Sequence, residues 1–183
     1  MTNHEFTKVL FIDEMSVSTS AHNSYGWTFS QRLIVDAPQR TKIKANYFGA
    51  VEILDGKVVE IVRKSAKVDS LMTLLKKVEM TYPDDKILML MDNGRVHHAG
   101  KVSDFFDKRE RMKLLFLPSY SPDINPEEYF HNHLRNKLLN NHNFRSTKQI
   151  GCKISNFVKR LNPKTIRSIA TLLPIEALLS VQK

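Results

Sequence analysis

A chain of 183 residues, 42% hydrophobic and with a formal net charge of +9, can bury one good core and carries the sign that suits a polyanionic partner. Its single cysteine, Cys152, excludes an internal disulfide framework and suits a reducing compartment. No secretory signal opens the sequence, and the late apolar stretch from Ile169 to Val181 is broken by Pro174 and Glu176, so a soluble cytoplasmic protein with no membrane partner is expected.

Taken in order, Lys8 to Met15 reads as a first strand, an apolar run (Val9-Leu10-Phe11-Ile12) that delivers Asp13. Ser16 to Gln31 reads as a polar loop or hairpin. Trp27 and Phe29 would anchor it, Trp27 as a packing residue with a base-stacking role as the alternative. Lys42 to Ile53 alternates in the manner of a strand, Asp55-Gly56 is a hairpin turn, and Lys57 to Arg63 returns antiparallel. Val68 to Tyr82 carries Leu71, Leu74, Leu75 and Val78 at helical spacing and is closed by Pro83. Lys86 to Met91 is the fourth strand, ending in Asp92-Asn93-Gly94, with His97 and His98 in the loop beyond. Lys101 to Arg111 is a shorter helix and Leu114 to Leu117 the fifth strand. A proline-rich corner then leads into a helix that starts at Pro126, with Asn125 as its cap and Glu127 and Glu128 in the first turn, where the helix dipole favours anions. Thr147 to Leu161 and Lys164 to Val181 make two more helices, separated by Asn162-Pro163. The order β-β-β-α-β-α-β-α predicts an α/β, ribonuclease-H-like fold: a mixed five-stranded sheet flanked by helices, with a basic C-terminal helical extension. The division expected is a catalytic domain over 1–145 and the extension over 146–183, packed on the same domain.

Helical spacing separates the two glutamates. Glu127 shares a stripe with Phe130, Leu134 and Leu138, whereas Glu128 lies with His131, Asn132 and Arg135 on a polar face. Glu128 is therefore the candidate for chemistry. An aspartate after one hydrophobic strand is usually a turn residue. Two of them, with a glutamate on a proline-locked helix, form a constellation.

F-I-D-E around Asp13, D-N-G-R-V-H from Asp92 to His97, and S-P-D-I-N-P-E-E ending at Glu128 resemble the signature of DDE transposases, in the mariner-like superfamily and its bacterial insertion-sequence branch. The 35 residues between Asp92 and Glu128 agree with that branch, and the resemblance runs from about residue 8 to 140. Position by position it implies that Asp13, Asp92 and Glu128 are the catalytic, metal-holding triad. Two Mg²⁺ ions, with Mn²⁺ as substitute, would be bound, Asp13 bridging them, Asp92 on one and Glu128 on the other. Three departures stand out. Glu127 replaces a usual aliphatic residue, His131 a frequent tryptophan, and in Gly26-Trp27-Thr28-Phe29-Ser30-Gln31 Ser30 stands in place of the second glycine of a G-W-x-x-x-G-Q element, with one residue fewer after the tryptophan.

What the resemblance implies is DNA cleavage and strand transfer, with insertion at TA and with transposon ends and target DNA as partners. Recognition would come from a separate helix-turn-helix polypeptide, since 12 residues precede Asp13, unless the chain is a fragment of a decayed element. Synapsis of two ends would be served by a homodimer. Asn93, His97, Arg135 and Lys137 are possible substrate contacts. Asn93 reads first as a loop-holding residue, and His97 equally as a structural one. A zinc site from His97, His98, His131 and His133 lacks a nearby cysteine and tetrahedral spacing. Two other functions compete with this reading: a stand-alone nuclease such as a ribonuclease H or junction resolvase, which the S-P-D-I-N-P block opposes, and a silent DNA-binding remnant.

Charge placement supports the nucleic-acid reading. From Tyr129 to Ile175 there is no acid but nine cations: Arg135, Lys137, Arg145, Lys148, Lys153, Lys159, Arg160, Lys164 and Arg167. They account for the whole surplus, and apolar spacing at Ile154, Phe157, Val158 and Leu161 marks the segment as folded.

Overall fold

The computed structural model describes residues 6–19, 43–94, 97–118, 124–140 and 142–170. Within them five strands, β1 (Lys8–Ser18), β2 (Lys44–Glu52), β3 (Lys57–Arg63), β4 (Ile87–Met91) and β5 (Met112–Phe116), form one sheet in the order β3-β2-β1-β4-β5. β1–β2 and β2–β3 pair antiparallel, and β1–β4 and β4–β5 parallel. The mixed sheet follows from its connections. The Asp55-Gly56 turn permits an antiparallel return, Gly56 adopting φ 71°. Helix α1 (Val68–Thr81) carries the chain from β3 across the sheet to β4, parallel beside β1, and helix α2 (Gly100–Asp107) carries it from β4 to its parallel neighbour β5.

Period-2 alternation splits the sheet into two cores. On one face Leu10, Ile12, Ile87, Met89 and Met91 meet the α1 stripe Leu71, Leu74, Leu75 and Val78, together with Val102 and Phe105 of α2. On the other, Met15, Val17, Ala45, Tyr47 and Val51 meet Phe130 and Leu134 of α3 (Pro126–Leu134). Ile150, Ile154 and Val158 of α4 (Thr147–Val158) and Ile166 and Ala170 of α5 (Pro163–Ala170) complete that core.

Several boundaries differ from the sequence expectation. β1 continues to Ser18, because Met15 and Val17 keep the inward alternation and Ser18 pairs with Lys44. Asp13 is thus mid-strand, although it lies one residue beyond Ile12↔Met91, the last pair of the parallel ladder with β4. α2 stops at Asp107, where Arg109 turns back, its amide bonding the Phe106 carbonyl and its side chain reaching Glu79. α3 runs into a π-helical turn, Arg135–Leu139, which buries Leu138 and Leu139 together. α5 begins at Pro163 because the Asn162 side chain accepts from the Thr165 amide at 2.8 Å. Trp27 and Phe29, the Pro122-Asp123 part of the corner, and the expected helix beyond Ala170 lie outside the described residues. Among the described residues no helix is long and apolar enough to cross a membrane.

Gly49 is the tightest point of the second core. A Cβ there would fall 1.5 Å from Glu127 Oε1 and 2.4 Å from the Tyr47 hydroxyl. Gly49→Ala is expected to cost on the order of 1–3 kcal/mol through overpacking. Urea denaturation should show it, with part of the loss recovered in the double variant Gly49→Ala/Glu127→Ala, the Tyr47 hydroxyl still crowding the new methyl.

Candidate active site

The site forms where β1 outruns β4. Parallel partners place their side chains on the same face, so Asp13 and Asp92, each one step past the last pair Ile12↔Met91, point to the same side of the sheet. That face is the one covered by α3. Asn125 caps α3 by accepting from the Glu127 amide at 3.1 Å, and Pro126 occupies the first turn. This fixed start brings Glu128 towards Asp13 on β1.

Asp13 is 8% exposed. Its Oδ1 accepts from the Glu14 amide at 2.7 Å, and its Oδ2 accepts from Asn125 Nδ2 at 2.7 Å. Burial pushes its carboxyl up to about 6, against the opposing pull of His131 and the Glu14 amide, and the charges of Glu128 and Asp92 push the same way as burial. Asp92 is more open and is clamped by His97, whose Nδ1 lies 2.6 Å from Asp92 Oδ1 and 3.0 Å from the Asp92 carbonyl. That contact, above all, holds Asp92 below the usual carboxylate range. Burial of the His97 ring would lower its pKa, but its bonds to Asp92 outweigh this and leave it raised. Glu128 is held low, first by His131 and then by the Arg135 charge, against desolvation and Asp92.

One oxygen each of Asp13 and Glu128 and one ring nitrogen of His131 all lie within 4.8 Å of one another. Asp92 stands outside this set with its side chain turned to His97, yet its charge is felt at both Asp13 and Glu128. Two hard carboxylates facing one another, with a third acid adjacent, are the donor set that a small divalent cation takes. Of the four histidines that could have formed a zinc site, His97 is engaged with Asp92, His98 with the Asn93 side chain and the Phe116 ring, and His133 lies against Phe157. His131 instead joins the acids.

Helical spacing separates the glutamates as the structure does: Glu127 is fully buried and Glu128 half-exposed. The buried polar layer beneath them is absent from the sequence expectation. Tyr47 donates to Glu127 Oε1 at 3.3 Å, and its ring meets His131 edge-on, centroids 5.5 Å apart. Burial drives Glu127 well above the ordinary carboxylate range, with Asp13 adding to it. Nothing in the residue pattern reveals this layer, because it depends on Gly49 standing opposite Asp13 in the β1–β2 register. Asn125 is legible as a cap, but its bond to Asp13 spans 112 residues. Arg135 is half-buried and donates to Asn132, whereas Lys137 is exposed on the π turn.

A five-stranded mixed sheet with helices on both faces and acids where β1 and β4 diverge defines a ribonuclease-H-like fold. Residues 8–151 match the DDE superfamily endonuclease family, and the chain belongs to it. It is 24% identical over 160 residues to the insertion element IS630 uncharacterized 39 kDa protein of Shigella sonnei, covering 85% of this chain and 46% of that one. Its fold superposes on Mos1 transposase in a paired-end complex with the left transposon end, with TM-score 0.72 at 16% identity over 98% of this chain and 56% of that chain. The isolated catalytic domain of Mos1 mariner transposase gives TM-score 0.62 at 15% identity, covering 95% and 81%. The chain thus spans about half the length of the curated relative and of the Mos1 chain in that complex.

Glu127 offers a check on the buried layer. An acid whose pKa is raised on folding favours the folded state most below its unfolded value, near 4.5, and loses that advantage as pH climbs towards the raised value. Glu127→Gln should flatten the fall in stability above pH 4.5, by up to about 1.4 kcal/mol per pH unit, and should be the more stable protein at pH 7. Thermal or urea melts across pH 4–8 measure the difference.

Proposed function

We propose that this chain is the catalytic domain of a DNA transposase, cutting and rejoining strands at a divalent-metal site held by Asp13, Asp92 and Glu128. The observation that carries the reading is the convergence of Asp13 and Glu128, residues from β1 and from the capped start of α3, beside Asp92 at the end of β4. Mg²⁺, with Mn²⁺ as substitute, fits the carboxylate oxygens, and two ions would be shared by the three acids. Bound there, such ions lower the pKa of an attacking water or DNA 3′-hydroxyl and stabilise charge on the leaving oxygen.

The chain's own residues prepare that arrangement. Asn125 and the Glu14 amide fix both oxygens of Asp13, so its remaining lone pairs face Glu128. His97 orients Asp92 and keeps it ionised. Asn93 holds the loop through His98 and acts as a positioning residue. Arg135 and Lys137, on the turn that follows Glu128, would meet the DNA backbone.

The DNA, transposon ends and target alike, would lie against the cationic segment. Arg145, Lys148, Lys153, Lys159, Arg160 and Lys164 are all exposed on and around α4 and α5. The apolar stripes of α4 and α5 pack into the second core, which supports, for the described residues as far as Ala170, the basic extension expected over 146–183 on a catalytic domain over 1–145. Recognition of a particular end belongs to a helix-turn-helix unit, and pairing of two ends to a homodimer.

Supercoiled plasmid should be nicked in Mg²⁺ or Mn²⁺ and spared in EDTA. Asp13→Asn, Asp92→Asn and Glu128→Gln should each lower nicking by at least about 10³-fold while retaining DNA binding. Metal-independent nicking, or full activity in Asp92→Asn, contradicts the reading. Binding to duplexes of unrelated sequence should weaken steeply with salt. Lys148→Ala/Arg160→Ala should make the log–log slope shallower by about one for each phosphate that is no longer neutralised. Fluorescence anisotropy at several salt concentrations measures both.

A further inference from the structure

His131 lies on α3 three residues past Glu128 and four past Glu127, and only 1% of it is exposed. Its Nδ1 is 3.7 Å from Glu128 Oε2, and its Nε2 is 4.0 Å from Glu127 Oε1. Both separations exceed a hydrogen bond. The Nε2 atom has no hydrogen-bond partner, and neither does Glu127 Oε2, although both are buried. Buried polar atoms without partners are costly, so two of them on adjacent side chains require an explanation.

A metal between Asp13 and Glu128, bound at Nδ1, would put the ring's proton on Nε2 and aim it at the Glu127 carboxylate 4.0 Å away, pairing the two orphaned groups with each other. A ligating imidazole is neutral, gives one nitrogen lone pair to the ion, and directs its other N–H to a carboxylate. His131 is placed for that division. One ring nitrogen belongs to the set with Asp13 and Glu128 oxygens, all within 4.8 Å of one another, and the Glu127 carboxylate lies on the opposite side of the ring. Tyr47, edge-on to the ring at 87° and bonded to Glu127 Oε1, fixes the plane of the imidazole and the carboxylate behind it.

We propose that His131 is a nitrogen ligand of the divalent ion held by Asp13 and Glu128, through Nδ1, with Glu127 as the outer carboxylate that orients it. This rests on the metal-site reading above and adds a preference to it. Mn²⁺ shares the carboxylate preference of Mg²⁺ but, as a transition ion, accepts an imidazole nitrogen more readily, so the nitrogen ligand shifts the site's preference towards Mn²⁺.

Pulsed electron paramagnetic resonance of Mn²⁺ bound to the full chain tests the ligation without any turnover. The expected result is the ¹⁴N coupling of a directly bound imidazole in wild type and in His97→Gln, absent in His131→Gln. In calorimetric titrations His131→Gln should lose about tenfold or more in Mn²⁺ affinity, with a smaller change for Mg²⁺. Mn²⁺ that binds wild type, depends on Asp13 and shows no ¹⁴N coupling overturns the His131 assignment and leaves the carboxylate site standing. Coupling that survives in His131→Gln and disappears in His97→Gln overturns it as well. Mn²⁺ binding that is absent, or unchanged by Asp13→Asn, removes both the assignment and the metal site beneath it. The wild-type spectrum decides even if His131→Gln fails to fold.

Discussion

The arrangement depends on a carboxylate that has been taken out of water next to two others. Asp13 is buried on a central strand, and burial, helped by the charges of Glu128 and Asp92, pushes its carboxyl up to about 6. A fold that served only stability would not concentrate like charges there. The charges are tolerated because each acid is held by a different device: a side-chain amide and a backbone amide on Asp13, an imidazole on Asp92, and a helix start, His131 and Arg135 on Glu128. A divalent cation is the partner that converts this repulsion into attraction.

The secondary structure serves that placement. β1 pairs with β2 from Leu10 to Ser18 but leaves β4 at Ile12, and this divergence opens the sheet beside Asp13. α3 can cover the opening only because Gly49 has no side chain. The space it leaves is filled by the Glu127 carboxyl and the Tyr47 hydroxyl, which form a polar floor beneath the acids. The two unusual residues of the helix, Glu127 and His131, are one turn apart and face the same buried pocket. They are understood better as a single feature than as two departures from a family pattern.

Much of this is written locally in the chain. The strands announce themselves as apolar runs, the cap and proline fix the start of α3, and 3.6-residue spacing tells Glu127 from Glu128. Other parts are not local. The end of β1 is masked by Asp13-Glu14, a polar pair that reads as a strand terminus, although Met15 and Val17 beyond it continue the alternation and Ser18 pairs with Lys44. The π turn after Leu134 leaves no signature in Arg135-Asn136-Lys137-Leu138-Leu139. The bonds from Asn125 to Asp13 and from Tyr47 to Glu127 cross 112 and 80 residues, so they exist only after the sheet register is set.

The central claim is spatial: acids distant in sequence surround a cation on one face of the sheet. Anomalous diffraction from crystals grown with Mn²⁺ addresses it most directly. The account predicts a strong anomalous peak within coordination distance of Asp13 and Glu128 oxygens, with Asp92 at its edge or on a second peak a few ångströms away. Ordered Mn²⁺ only elsewhere on the protein, with Asp13 left unligated, would contradict it.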